Sequence, residues 1–181
     1  MKSCYQFKNI DMFEHGLMVN NAYQKILKKD SVFLQYMNFD DNGKSNFEKL
    51  LQLQYDSTLM RHYHLYHDCG KPYCLTIDEQ GRSHYPNHAE ISAKIHAQHF
   101  SCETANNLIK NDMIFHQSNA SQLSACLKLN NDKKMLSSIY LTAWAEIFAN
   151  SQLFGGFESE GFKIKKKKLI SHGKKLFQLL E

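Results

Sequence analysis

Where a chain can and cannot break a helix limits its fold more than any average property does. These 181 residues hold only two prolines, Pro72 and Pro86, and both fall in one short region. Proline removes a backbone donor and clashes with the preceding helical turn, so long proline-free stretches with apolar residues at helical spacing predict helices. The distribution predicts an all-α bundle with one prominent loop or small hairpin over residues 72–87. Phe13, Leu17, Val19, Ala22, Ile26 and Leu27 mark one helical face over about residues 11–29, with His15 in its first turns. Residues 31–47 read as an irregular connection, because Asp40, Asp41, Asn42 and Gly43 form a strong turn signal. Ser45 with Glu48 gives a capping-box pattern ahead of Phe47, Leu50, Leu51, Leu59 and Met60. That pattern predicts one long helix ending near His67 and Asp68, stopped by Gly70 and Pro72.

Within the loop, Asp78-Glu79-Gln80-Gly81 reads as a turn. A helix is expected from Asn87 or His88 with Ile91, Ile95 and His99 on one face, and Ser101 is expected to cap a shorter one through Leu108 and Ile109. Residues 112–116 suit a further helical turn and 118–127 a short helix. From Asp132 to Ser151, Met135, Leu136, Ile139, Ala143, Ile147 and Phe148 keep helical spacing until Gly155 and Gly156 end it.

A length of 181 residues with 43% hydrophobic content suits a single domain over 1–181. No apolar run approaches the ~20 residues of a membrane span, and the first residues lack the apolar stretch of a signal peptide, so a cytoplasmic protein is expected. The five cysteines, Cys4, Cys69, Cys74, Cys102 and Cys126, lack framework spacing and read as free thiols. Charge is uneven. Residues 163–181 hold Lys163, Lys165, Lys166, Lys167, Lys168, Lys174 and Lys175 against Glu181, a local +6 within a total of +4. Such a basic segment, expected as a C-terminal helix over 159–181, suits RNA or DNA, or equally a solvated helix face. Its apolar residues, among them Leu169, Leu176 and Phe177, predict that it packs.

Chemistry concentrates in the histidines and carboxylates. His67 and Asp68 offer an imidazole nitrogen and a carboxylate oxygen from consecutive residues, so both can reach one divalent ion. They stand in His67-Asp68-Cys69-Gly70-Lys71-Pro72, where glycine allows close backbone approach and lysine can meet an anionic oxygen. Arg61, His96 and His99 are candidate phosphate contacts. His62 and His64 read as packing or surface residues, and Trp144 with Tyr140 and Phe148 as core. Glu146, among apolar neighbours on a helix, calls for a cation partner, either a metal or a lysine.

The stretch LYHDCGKPYCLTIDEQGRSHYPNHAEIS resembles the HD-domain metal-dependent phosphohydrolases, and within them the HD module of bacterial tRNA nucleotidyltransferases. FEHGLMVNNA is similar to the helix with that family's first histidine, NDMIFH to its third block and LTAWAEIFAN to the helix with its final acid. The resemblance implies a metal centre of His15, His67, Asp68, His88, Asp112, His116 and Glu146. Asp112 stands where the family has a histidine, and Glu146 where it has an aspartate. His15, His67, Asp68 and Glu146 would hold one ion, and Asp68, His88, Asp112 and His116 a second. Asp68 and Lys71 would be catalytic, with Lys71 also on the phosphate. The ions would be Mn, Fe, Co, Ni, Zn or Mg.

The activity so implied is hydrolysis of phosphomonoesters and 2′,3′-cyclic phosphodiesters on nucleotides or RNA ends, with the lysine segment contacting RNA. None of the Gly-Lys pairs completes a phosphate-binding kinase loop. A 5′-nucleotidase acting on free monophosphates and a non-catalytic nucleotide-binding adaptor are the alternatives.

Overall fold

The computed structural model describes residues 5–7, 10–37, 41–129 and 132–180. Cys4, Asp40 and Glu181 lie outside them. The architecture is all-α, at 75% helix and 4% strand. Contacts among the described residues group the chain into two compact units, residues 1–18 with 57–112 and residues 19–56 with 113–181.

In the first unit, strand β1 (Tyr5–Phe7) pairs antiparallel with β2 (Ile10–Asp11), and helix α1 (Met12–Leu27) starts directly after it. The Asp11 carboxylate caps α1 by accepting from the Glu14 amide at 2.8 Å. Helix α4 (Ser57–Tyr66) leads through a tight turn at residues 67–70 into α5 (Lys71–Cys74). Pro72 stands in the first turn of α5, where its missing N–H has no helical partner to lose. It therefore starts a short helix, whereas the sequence reading made it a stop. The expected hairpin is present as β3 (Thr76–Ile77) and β4 (Ser83–His84), with Asp78 accepting the amides of Gln80 and Arg82 at its tip. Helices α6 (His88–His99) and α7 (Glu103–Asn111) complete the unit. Met12, Met60, Tyr63, Ala93, Leu108 and Ile109 form its core.

Two details of this unit differ from expectation. The buried face of α6 is His88, Ala89, Ser92, Ala93 and His96, while Ile91 and Ile95 are half-buried and His99 is exposed. Small residues on that face admit close packing that a stripe of isoleucines would not. The residue before α7 is Cys102, which makes no side-chain cap, so Ser101 does not cap it.

The second unit takes the rest of α1 with α2 (Ser31–Met37), α3 (Asp41–Gln52), α8 (Ile114–Gln117), α9 (Ala120–Leu129), α10 (Lys133–Ala149) and α11 (Glu160–Leu180). A 3-10 turn, Ser151–Phe154, leads to Gly155 and Gly156, both at positive φ. Residues 31–47 are thus mostly helical, where an irregular connection was expected. Phe33 and Met37 are buried one turn apart on α2, and Phe47 and Leu50 likewise on α3. Asp and Asn, read as turn residues, are equally favoured where a helix begins. Because α3 starts at Asp41, Ser45 lies inside it and caps nothing. The long helix expected from Ser45 to Asp68 is broken at residues 53–56. There the Gln54 side chain donates back to the Leu50 carbonyl and accepts from the Tyr23 hydroxyl, both at 2.5 Å. α10 starts under an Asp132 cap on the Met135 amide and is buried on nearly every side. The basic α11 packs through Phe162, Leu169, Leu176, Phe177 and Leu180 while Lys163, Lys165, Lys167 and Lys174 stay exposed. Among the described residues no helix is long and apolar enough to cross a membrane.

Candidate metal centre

Four segments of the first unit converge on Asp68. The turn at residues 67–70 presents His67 and Asp68 side by side, α1 brings His15, α6 brings His88, and α5 brings Lys71. His15 Nε2 lies 3.6 Å and His67 Nε2 3.3 Å from Asp68 Oδ2, and His88 Nε2 lies 3.6 Å from Asp68 Oδ1. The Lys71 ammonium donates to Oδ2 at 2.7 Å. His15, His67 and Asp68 are each at most 2% exposed.

Two glycines make this approach possible. A Cβ on Gly16 would stand 2.5 Å from the His64 carbonyl oxygen and 2.9 Å from Leu65 Cα, so α1 touches the α4 backbone directly beside His15. A Cβ on Gly70 would stand 2.4 Å from the Ser92 amide nitrogen. There the Gly70 N–H donates to Ser92 Oγ at 2.8 Å, holding the Asp68 turn against α6. His88 opens α6 because Asn87 takes a left-handed conformation, which Asn tolerates better than most residues.

The imidazoles are oriented as metal ligands usually are. His67 Nδ1 lies 2.7 Å from the His64 carbonyl and His88 Nδ1 3.0 Å from the Tyr85 carbonyl. A carbonyl only accepts, so each Nδ1 carries the hydrogen, and a neutral ring then aims its Nε2 lone pair at Asp68. Two lone-pair-bearing atoms 3.3 Å apart in a buried site require a proton or a cation between them. The donor set therefore fits a divalent ion on chemical grounds: two nitrogens and a carboxylate, from His15, His67 and Asp68, within 4.8 Å of one another. Burial alone would raise the Asp68 carboxyl, but with protons on the histidine rings in place of an ion, the cationic His67, Lys71, His15 and His88 outweigh it and hold it well below the usual carboxylate range.

Asp112, at the end of α7, is 2% exposed and accepts from the Tyr63 hydroxyl. Its carboxylate lies within 4.8 Å of a His67 nitrogen. In the second unit, His116 Nε2 and a Glu146 carboxylate oxygen pair at 3.1 Å, so Glu146 has a histidine for its partner where a lysine was the alternative. Arg61 is exposed on α4. His99, exposed on α6, lines a separate cavity with Tyr66, Cys69, Tyr73, Ile95, His96 and Phe100. His62, read as a surface or packing residue, faces His96 ring nitrogen to ring nitrogen at 2.8 Å.

Gly16, Tyr63 and Ser92 serve the site without standing out in the sequence as ligands. Gly16 left a signal, since a glycine inside a helix lowers its stability by about 1 kcal/mol and calls for a packing reason. Tyr63 and Ser92 left none, being ordinary residues until the chain is folded. No protein-family model, curated protein or solved structure matches the chain.

Proposed function

We propose that the chain is a divalent-metal-dependent phosphohydrolase acting on 2′,3′-cyclic or terminal phosphates of nucleotides or RNA ends. One observation carries the reading: three imidazoles and a lysine converge on the buried Asp68, with His67 and His88 fixed through backbone carbonyls in the orientation a metal ligand needs. The order of these residues along the chain, similar to the HD signature, gives the choice of phosphate ester as substrate.

His15, His67 and Asp68 would hold the first ion, and His88, which faces the other Asp68 oxygen, would serve a second. Asp112, kept in place by Tyr63, offers a carboxylate to that second ion. Mixed nitrogen and oxygen donors suit Mn, Fe, Co, Ni or Zn better than Mg alone. Bound there, such ions supply Lewis-acid charge for a phosphate oxygen and a water acidic enough to attack phosphorus. Asp68 contributes both carboxylate oxygens to the site, and burial keeps bulk water from screening them. Lys71, buried beside Asp68, would offer its ammonium to a non-bridging phosphate oxygen as negative charge develops. No side chain is needed as a nucleophile. The exposed lysines of α11 would contact RNA as a counter-charge to its backbone.

A second reading has an observation of its own. Lys71 already neutralises Asp68 at 2.7 Å, so the cluster would serve as a buried ion pair in a non-catalytic nucleotide-binding adaptor. Turnover separates the two. EDTA-treated protein, given single divalent metals, is assayed on 2′,3′-cyclic AMP, 2′-AMP, 3′-AMP, 5′-AMP and a short RNA with a 2′,3′-cyclic end. Metal-restored hydrolysis of the cyclic and 2′ esters is expected, falling at least about 100-fold in Asp68→Asn, since even outer-sphere partners cost up to that much. Preference for 5′-AMP would move the assignment to a 5′-nucleotidase. No turnover with any metal would leave the adaptor.

A further inference from the structure

Besides the Asp68 cluster, the first unit contains a surface cavity of about 280 Å³, lined by Tyr66, Cys69, Tyr73, Ile95, His96, His99 and Phe100. Its lining shares no residue with the cluster. The two sets alternate along the chain, Tyr66 and Cys69 serving the cavity while His67, Asp68 and Lys71 serve the cluster. On α6, His88 belongs to the cluster and Ile95, His96 and His99 to the cavity. Eight residues of helix separate His88 from His96, a rise of about 12 Å.

We propose that this cavity is a binding site for a single planar heteroaromatic ring, of the size and chemistry of a nucleobase.

Three features of the wall carry this. First, five of the seven described lining side chains are planar rings, and the inner ones hold one another rigid. His96 stacks on Phe100 at 5.1 Å between ring centroids and 28° between planes, and Tyr66 meets Phe100 at 4.7 Å. His62 braces that set from behind, edge-on to Phe100 at 4.8 Å and in contact with the His96 nitrogen. A preorganised flat wall accepts a flat ring without the ordering cost a flexible one would carry. Second, the volume falls just under the ~300 Å³ at which pockets for drug-sized ligands begin, so it suits one base better than a whole nucleotide. Third, the rim is exposed and partly polar: Tyr73 is 74% exposed and His99 is exposed, so each can close over a ring and offer a hydrogen bond. Among the described residues no lysine, arginine, aspartate or glutamate lines the cavity, and burial lowers the proton affinity of His96, which disfavours a phosphate as occupant.

The ring could arrive on a free nucleoside or within an RNA strand whose end lies at the Asp68 cluster. The choice of a base over another planar ring rests on the phosphohydrolase reading, whereas the site itself does not.

The test uses probes without a terminal or cyclic phosphate on the full chain. Adenosine, guanosine, cytidine and uridine are titrated while the isoleucine methyl signals are followed by NMR, with ribose as the base-free control and a short unphosphorylated RNA as the strand-borne source. Nucleosides are expected to move the Ile95 methyl signal while ribose does not. Tyr73→Ala and His99→Ala, both at exposed positions, are each expected to weaken binding about tenfold. Tighter binding of the RNA than of the nucleosides would assign the site to a strand; equal affinity would assign it to free nucleosides. An Ile95 signal unmoved by every base, or binding unchanged in both variants, would overturn the proposal. Because none of these probes carries a terminal or cyclic phosphate for the Asp68 cluster to act on, binding is read apart from turnover: base binding by a protein inert in the hydrolysis assay would keep this site and discard the enzyme, and hydrolysis without base binding would do the reverse.

Discussion

Asp68 is buried with a charge that burial disfavours, and its surroundings compensate by number: two histidines and a lysine on Oδ2 and a third histidine on Oδ1. What sets those distances is backbone contact elsewhere. Gly16 has the clearest consequence, since a methyl group there would sit 2.5 Å from the His64 carbonyl oxygen and 2.9 Å from Leu65 Cα, backbone atoms that have no rotamer through which to retreat. Gly16→Ala is expected to lower stability by about 1–3 kcal/mol, as overpacking does. It should also weaken metal binding, because α1 must shift away from α4 and carry His15 with it. Denaturant unfolding and metal titration of the variant check both effects. An unchanged midpoint would mean that the close approach of α1 to α4 is not what places His15. The sequence made His15, His67, Asp68 and His88 legible through their order along the chain. It could not make Tyr63 or Ser92 legible, because each acts through a single hydrogen bond to a distant segment.

At the scale of elements, the long proline-free stretches did foretell helices, and the region between the prolines did foretell the hairpin. The errors fell where one residue type serves two purposes. Asp41 and Asn42 favour turns and helix starts alike, and here they start α3. Gln54, a good helix former, ends a helical run because its side chain competes for the Leu50 carbonyl. The hairpin itself is held by Asp78. Its carboxylate pairs with His84 and with Arg82 Nε, each at 2.8 Å, and accepts the Arg82 and Gln80 amides. First His84 and then these partners lower its pKa to about 2. A depressed carboxylate stabilises a fold above its unfolded value, roughly 3.9, and loses that contribution as pH falls through the folded value. The Gln80 and Arg82 amide signals should therefore titrate with a midpoint near pH 2 by NMR, and Asp78→Asn should abolish the transition. A midpoint near pH 4 would mean that these contacts do not hold the hairpin in solution.

For the whole molecule, the sequence divides its labour between a slightly acidic body and a basic end. The structure gives the basic end a second duty, because α11 buries Phe162, Leu169, Leu176, Phe177 and Leu180 in the second unit. Deleting it would remove core as well as charge, so any role of its lysines in RNA contact has to be read from the exposed positions alone. The grouping into two units was not legible from length or composition, since α1 runs through both without a break in its helical pattern. The proposed function stands on a divalent metal held at Asp68 in the first unit. Metal content is measured after EDTA stripping, reloading with Mn(II) and desalting, with wild type beside Asp68→Asn and thermal unfolding as the check that both are folded. One to two equivalents of manganese in the wild type and almost none in the folded variant are the expected result; equal loading of the two proteins, or no retained metal in the wild type, would contradict it.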